Sequence, residues 1–175
     1  MARRLSLLLG LVLLISLAPL KTQAQDKFEL FGGYSYMRVD ATPALNPGSS
    51  GFNLNGWELS GQYKFADWLG GVADFDGHYG SPSGESTSIH TFLFGPQVSW
   101  PTRVSPFAHI LIGGAHVSTG PFADTSFAVA IGGGIDTELI HGIYWRVIEG
   151  DYLPTRFFGN TQNNVRVSTG IVLKF

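Results

Sequence analysis

The chain has 175 residues, which is enough for a single domain. Charged residues make up 14% of it and aromatic residues 13%, whereas a water-facing surface usually carries about 25–35% charged residues. The absence of cysteine excludes disulfides, thiol nucleophiles and cysteine-ligated metals. No run of basic residues occurs, so a nucleic-acid partner is not expected.

The N-terminus has the ordered parts of a secretory signal peptide. Two arginines precede a nearly uniform apolar run over 5–17, and small residues suit cleavage after Ala24. The alternative is a transmembrane helix anchor, but a run of about 13 residues is shorter than the roughly 20 that a span needs. We therefore predict a signal peptide over 1–24 and one mature domain over 25–175. That domain carries 8 Lys or Arg against 13 Asp or Glu.

The mature chain has no second long apolar segment, which excludes a helical membrane protein. It repeats instead a segment with period-two alternation, the pattern of a β-strand. In the last such segment Val165, Ile171 and Phe175 share one face, and Arg166 and Lys174 share the other. The pattern predicts eight strands, at 27–39, 54–65, 69–79, 88–100, 105–117, 126–139, 143–153 and 164–175. Each is long enough for the roughly 9–11 residues of a tilted transmembrane strand.

The connections between these strands alternate in length. Long segments rich in turn residues are predicted at 40–53, 80–87, 118–125 and 154–163, and short ones at 66–68, 101–104 and 140–142. Outer-membrane barrels alternate in this way because their short turns face the periplasm and their longer loops face outside. Both termini are then expected on the periplasmic side.

Alternation alone does not decide which face lines the interior. A soluble lipocalin-like barrel shows a charge-rich face to water, whereas the polar face here is mostly Gly, Ser and Ala with sparse charges. Such a face suits the narrow interior of an eight-stranded barrel, and a charge moved to the lipid face costs up to ~2–4 kcal/mol. We therefore predict an all-β fold, an eight-stranded antiparallel up-and-down transmembrane β-barrel.

The polar side chains of the inner face are expected to form a lumenal network. Its predicted members are Glu29, Glu58, Lys64, Asp74, Asp76, His78, Asp136, Glu138, Glu149, Asp151, Arg166 and Lys174. Simple alternation puts Arg146 on the opposite face from Glu149 and Asp151, unless the seventh strand is bulged, and the sequence leaves this open. The Gly95–Pro96 pair predicts a bulge or twist in the fourth strand, since a closed barrel has no edge for a proline.

Aromatic residues cluster at the ends of strands that are predicted to be periplasmic. They are Phe65, Trp68, Trp100 and Phe175. This placement favours an aromatic girdle at the membrane interface over ordinary core packing.

The chain resembles the small OmpA-like, or porin-like, family of outer-membrane β-barrel domains. The resemblance covers the whole mature chain and is carried by 28–36 (FELFGGYSY), 90–96 (HTFLFGP), Arg146 with Asp151–Tyr152, and the terminal Phe175. It implies a location in the outer membrane of a Gram-negative bacterium, and it makes Phe175 the expected signal for the barrel-assembly machinery. Full-length OmpA has a further peptidoglycan-binding domain, which is not expected here.

Two weak chemical patterns remain. Asp74, Asp76 and His78 share a strand face and suggest a metal, but three ligands on one strand spread over ~13 Å, so a lumenal network is favoured. His116 and Ser118 faintly resemble the His-x-Ser pair of lipid A deacylases, in which histidine is the base for a serine nucleophile. The residue after the serine is Thr119 rather than Asn, and the acidic partner, Glu138 or Asp124, is a guess.

We expect a non-enzymatic barrel without cofactors, with a structural or surface-binding role. Its long loops carry the aromatics Phe122, Phe157 and Phe158, which are available for binding. The expected partners are outer-membrane lipids, lipopolysaccharide and the barrel-assembly machinery, and the expected state is a monomer. The alternatives are a small pore, although eight strands normally leave a filled lumen, and the lipid A hydrolase with His116 and Ser118.

Overall fold

Residues 27–40 and 51–175 are described by the computed structural model, and they form a closed antiparallel barrel. The strands are β1 Phe28–Val39, β2 Phe52–Ala66, β3 Leu69–Gly80, β4 Thr87–Ser99, β5 Val104–Thr119, β6 Phe122–Ile140, β7 Ile143–Thr155 and β8 Gln162–Lys174. Each strand pairs with the next along the chain, and β8 pairs with β1. The predicted eight-stranded up-and-down fold is therefore confirmed. The signal peptide predicted over 1–24 lies outside the described residues.

Phe28 and Phe175 join β1 to the chain end by backbone hydrogen bonds, and we call their end of the barrel the lower end. The lower turns are short and cover 67–68, 100–103 and 141–142. At the opposite, upper end, two connections contain short 3-10 helices, Pro82–Gly84 and Phe157–Gly159. Most of the first upper connection, residues 41–50, lies outside the described residues.

The loop predicted over 118–125 is wrong. β5 and β6 remain paired up to Thr119 and Phe122, so only two residues connect them. Gly120 makes this turn feasible, since its positive φ of 53° is cheap for glycine. The Ser, Thr and Asp residues around the turn resemble a loop in composition, but here they lie in strands. The strict alternation of long and short connections therefore does not hold.

Of the bulge or twist predicted at Gly95–Pro96, the bulge is wrong. Phe94 lies opposite Ile112 and Gln97 opposite His109, which is the same register on both sides of the pair. The pairing with β5 is interrupted there but gains no extra residue. Proline has no backbone N–H to donate, which accounts for a gap in the ladder without a shift.

Burial alternates along the strands with the apolar side chains outside. In β5, for example, Leu111 is fully buried and Ile112 is 43% exposed. All eight strands expose large apolar residues, among them Leu30, Leu59, Phe75, Phe92, Ile110, Ile131, Ile148 and Ile171. This is the reverse of a soluble barrel, whose outer face is polar. Throughout 27–40 and 51–175, no helix is long and apolar enough to cross a membrane.

Candidate functional site

The middle of the lumen is organised around Arg166 of β8, which is fully buried. Its guanidinium donates hydrogen bonds to the carboxylates of Asp74 at 2.8 Å, Asp76 at 2.5 Å and Asp151 at 2.7 Å. The carboxylate of Glu58 lies 3.6 Å from its Nε atom. One side chain thus ties β8 to β2, β3 and β7. Charges removed from water are tolerated only with close partners of this kind.

Two serines and a histidine extend this network. His78 Nδ1 lies 3.1 Å from Asp76 Oδ1, and His78 Nε2 lies 2.9 Å from the Ser35 hydroxyl. The Ser168 hydroxyl donates to a Glu58 carboxylate oxygen and lies 2.8 Å from Ser35 Oγ. Both ring nitrogens of His78 are therefore engaged by protein groups. Asp74, Asp76 and His78 of β3 are the residues whose alternation suggested a metal site. In the structure Asp74 and Asp76 contact Arg166, and His78 contacts Asp76 and Ser35.

Arg146 lies inside the barrel, which resolves the alternative that the sequence left open. The register of β7 shifts by one residue between Arg146 and Glu149 against β8, and Val147 and Ile148 both face outward. This bulge turns the arginine inward. Its guanidinium donates to Asp136 at 2.9 Å and to Glu149 at 2.8 Å.

Two aromatic rings hold the same guanidinium from its other sides. Arg146 Cζ lies 4.3 Å from the ring centre of Phe31 and 4.2 Å from that of Phe107. Cation–π contacts of this length stabilise a guanidinium that has lost water. The inward-facing aromatics are thus part of the charged network, a role that the sequence prediction missed because it counted only polar residues.

A second buried histidine lies between two carboxylates of β7. His109 Nε2 is 2.7 Å from Asp151 Oδ1, and His109 Nδ1 is 3.7 Å from Glu149 Oε1. The 3.7 Å separation is too long for a hydrogen bond. Nδ1 has no hydrogen-bond partner among the described residues. The sequence prediction did not include His109, although its alternation in β5 places it on the inner face with Phe107 and Leu111.

The remaining predicted members lie at the lower end. Lys64 and Lys174 both pair with Glu29, at 2.5 and 3.1 Å. Glu138 is different, because its side chain is 26% exposed and lies 4.0 Å from the exposed Arg103. It belongs to the lower rim and does not join the contacts of Arg146 or Arg166.

Most of the upper lumen is apolar, so the prediction of a lumen filled with polar side chains is wrong for that part, although Thr87, Thr155, Gln162 and Asn164 are buried near the upper strand ends. Its buried side chains include Met37, Val39, Leu54, Ile89, Leu93, Leu111, Ala115, Val117, Ala128, Leu153 and Phe157. The sequence signal for this region is a local loss of alternation, as in the uninterrupted apolar run 110–112. Both faces of a strand are apolar where the lumen excludes water.

Phe157 closes the upper lumen from the connection between β7 and β8. It is fully buried, and the Gln162 amide accepts from its backbone N–H at 2.9 Å and donates to its carbonyl at 3.2 Å. Of the three aromatics expected to be available in loops, Phe122 is exposed and Phe158 is partly exposed, but Phe157 is not available.

A cavity among the lower lumenal residues, lined in part by Glu29, Gln62 and Arg146, encloses only about 10 Å³, which is about the volume of one water molecule.

The outer face carries an aromatic ladder at the lower end. Successive ring centres of Phe175, Phe28, Tyr63 and Phe65 are 6.1, 5.0 and 5.4 Å apart. The four aromatics that suggested a girdle are between 42% and 70% exposed, so core packing is excluded for them.

A hydrogen-bonded polar belt lies on the outer face near the upper end. The Tyr34 hydroxyl donates to Asn55, Arg38 donates to Asn53, and the Tyr152 hydroxyl donates to Asn163. The Tyr79 hydroxyl lies 2.9 Å from His90 Nε2. Together with the aromatic ladder, this belt brackets the apolar middle of the barrel surface.

The two candidate catalytic residues lie beside this belt. His116 is exposed, and its Nδ1 lies 2.8 Å from the Thr125 hydroxyl. Of the acidic residues guessed as its orienter, Asp124 accepts hydrogen bonds from backbone N–H groups of Thr125 and Phe158, whereas Glu138 lies at the lower rim. Among the described residues, the structure does not bring His116, Ser118 and an acidic residue into a triad.

No protein-family model matches the chain, and no curated protein is significantly similar to it in sequence. Its fold is shared by solved structures, two of which illustrate the similarity. Neisserial surface protein A (NspA) aligns with a TM-score of 0.71 at 13% identity, over 87% of this chain and all of its own. Ail, the attachment invasion locus protein of Yersinia pestis, aligns with a TM-score of 0.56 at 16% identity, over 85% of this chain and 99% of its own. Both neighbours are eight-stranded outer-membrane barrels. At these identities the similarity concerns the fold.

Proposed function

We propose that this protein is a non-enzymatic, monomeric β-barrel of the bacterial outer membrane with a structural or surface-interaction role. The observation that carries the proposal is the reversed sidedness of the barrel. Large apolar side chains are exposed on all eight strands, while Arg166, Asp74, Asp76 and Asp151 are buried inside. A lipid environment stabilises this arrangement and water does not.

The bands on the outer face support a definite orientation. The aromatic ladder suits the interface of the periplasmic leaflet, so that both termini are periplasmic. The polar belt, with Arg38 and the amphipathic Tyr34, Tyr79 and Tyr152, suits contact with the headgroups of outer-leaflet lipids, including lipopolysaccharide. Phe175, 65% exposed at the lower end, is the residue proposed to be recognised by the barrel-assembly machinery.

A surface-interaction role is favoured over a pore because of the upper lumen. The buried Phe157 and the apolar side chains below it fill the described part of the lumen above the charged network. The binding surface of the upper end is then its hairpins, where Phe122 is 66% exposed. One structural neighbour is named for attachment and invasion, which is a reason to test these hairpins for binding to host or cell surfaces.

The absence of native cysteine allows a clean test of membrane insertion and orientation. Ala123→Cys places a thiol at an exposed site of the upper β5–β6 hairpin, and Thr102→Cys places one in an exposed lower turn. Whole cells that produce each variant are treated with a membrane-impermeant maleimide before and after permeabilisation. We expect labelling of Ala123→Cys in intact cells and of Thr102→Cys only after permeabilisation.

Gel mobility of the unboiled and boiled membrane fraction accompanies the labelling, as a control for barrel closure. We expect a compact band that shifts on heating. Recovery of the protein in the soluble periplasmic fraction without a shift contradicts the proposal, and labelling of Thr102→Cys in intact cells contradicts the orientation. Discrete single-channel steps of the purified barrel favour the pore alternative, and release of acyl chains from labelled lipid A favours the hydrolase.

A further inference from the structure

The lumen contains more carboxylates than cationic partners. Its buried acidic residues are Glu29, Glu58, Asp74, Asp76, Asp136, Glu149 and Asp151, and its buried Lys and Arg residues are Lys64, Arg146 and Arg166. Lys174 adds a fourth cation at the lower end. Carboxylates remain in excess even with His78 and His109 both protonated. Uncompensated buried charge is strongly unfavourable, and a bound cation is one way to compensate this excess.

The contacts around His109 offer a place for such a cation. Asp151 Oδ1 lies 2.7 Å from His109 Nε2, and a proton shared there leaves Nδ1 as a bare acceptor. Nδ1 faces another acceptor, Glu149 Oε1, across 3.7 Å. The imidazole is 2% exposed, and Nδ1 has no hydrogen-bond partner within 27–40 and 51–175. Two buried acceptors that face each other are stabilised by a cation placed between them.

We propose that the lumen binds one divalent transition-metal ion between His109 Nδ1 and Glu149 Oε1. A metal about 2.1 Å from each atom subtends an angle of about 120° across the 3.7 Å gap, which zinc coordination tolerates. His109, Glu149 and Asp151 each offer a ligand atom within 4.8 Å of the others. Because Asp151 Oδ1 is hydrogen-bonded to Nε2, on the other side of the ring from Nδ1, Asp151 orients the ring rather than ligating the metal, as carboxylates do in carboxylate–histidine–metal arrangements.

The surrounding residues favour this site over other carboxylates in the lumen. Glu149 Oε2 is held by Arg146 at 2.8 Å, and Asp151 Oδ2 is held by Arg166 at 2.7 Å. Each carboxylate therefore has one oxygen fixed by an arginine and the other directed toward His109. One imidazole with carboxylate oxygens suits zinc, cobalt or manganese better than calcium or magnesium, which prefer oxygen ligands alone.

Binding of Co²⁺ and Zn²⁺ to the mature chain tests this proposal. The protein is refolded into detergent with and without metal, because the site is buried, and closure is verified by the heat-dependent gel shift. We expect saturable binding of one Co²⁺ per chain, displaced by Zn²⁺, with paramagnetic shifts of the His109 ring protons in the wild-type protein. His109→Gln and Glu149→Gln should each weaken binding at least ~10-fold, and Asp151→Asn by ~10–100-fold.

Two controls use the other histidines. His78→Gln removes a buried imidazole whose two nitrogens are engaged. His90→Gln with His116→Gln removes a cross-strand pair on the outer face. Both should leave Co²⁺ affinity unchanged. The proposal is overturned if the folded wild-type chain shows no saturable binding, which means that protons alone balance the carboxylates. It is also overturned if only the outer-face double substitution abolishes binding.

Discussion

The middle and the upper parts of the lumen are filled in two different ways by the same eight strands. Around Arg166 the side chains are charged and each depends on several partners, since the guanidinium contacts Asp74, Asp76 and Asp151 together. Around Leu111 they are apolar and no contact is directional. Removal of one charge leaves others uncompensated, whereas removal of one apolar side chain leaves a local cavity. The two regions should therefore respond differently to substitution.

Their order along the barrel also matters. The apolar region lies at the upper end, directly below Phe157, and it separates the charged network from that entrance. Water excluded from the upper lumen cannot compete for the hydrogen bonds beneath it, and a lower dielectric strengthens paired charges. The upper region thus acts both as a closure and as a support for the network.

The largest effect is expected from Arg166→Met. The substitution keeps much of the volume but leaves Asp74, Asp76 and Asp151 without their common cation, which should lower the free energy of unfolding by about 3–5 kcal/mol. Urea unfolding in detergent micelles measures this loss. Arg38→Met, on the outer face, is the control and should have little effect. A loss no greater than that of the control shows that the network does not stabilise the barrel.

A smaller loss is expected from Leu111→Ala in the apolar region. Truncation of a fully buried leucine costs about 2–5 kcal/mol, depending on how far the neighbours relax. The adjacent Ile112, 43% exposed on the outer face, provides the matched Ile112→Ala control with a smaller expected loss.

A double variant tests whether the apolar region and the charged network are energetically coupled. Because the closure is expected to support the network, the losses from Leu111→Ala and Arg166→Met should deviate from additivity in the double variant, and additive losses show that the two regions are independent.

The sequence was sufficient to predict the number of strands, their direction and the inward face of most charged residues. Period-two alternation is a direct consequence of strand geometry, so it is readable wherever one face is polar. Alternation is not readable in the upper lumen, where the inward-facing Leu111 and the outward-facing Ile112 are both apolar. Turn composition also failed around Gly120, because Ser, Thr and Asp residues form a paired hairpin there.

Arg146 shows a further limit of alternation. A bulge adds one residue to β7 and reverses the face of everything beyond it, yet no residue in the sequence marks it. A different limit explains why His109 was missed, since alternation alone places it on the inner face. Its partners, Glu149 and Asp151, lie 40 or more positions away in the chain, and only the closed barrel brings them together.

The smallest effect is expected from deletion of Val147. Val147 is the extra residue of the bulge, because the pairing of β7 shifts by one residue there against both neighbouring strands, β6 and β8. Its removal should give a regular strand in which Arg146 and Glu149 still face the lumen. We expect a change in the free energy of unfolding of about 0.5 kcal/mol, similar to that of an exposed substitution.

Deletion of Gly150, another outward-facing residue of β7, is the matched control. No bulge residue is removed in that case, so Glu149 or Asp151 must turn to the outer face or the register must slip. Its loss of stability should be clearly larger than that of the Val147 deletion. Equal losses for the two deletions mean that the bulge itself is required for the barrel. A small loss for Val147 alone means that the bulge only adjusts the strand, and that the inward position of Arg146 is set by Asp136 and Glu149.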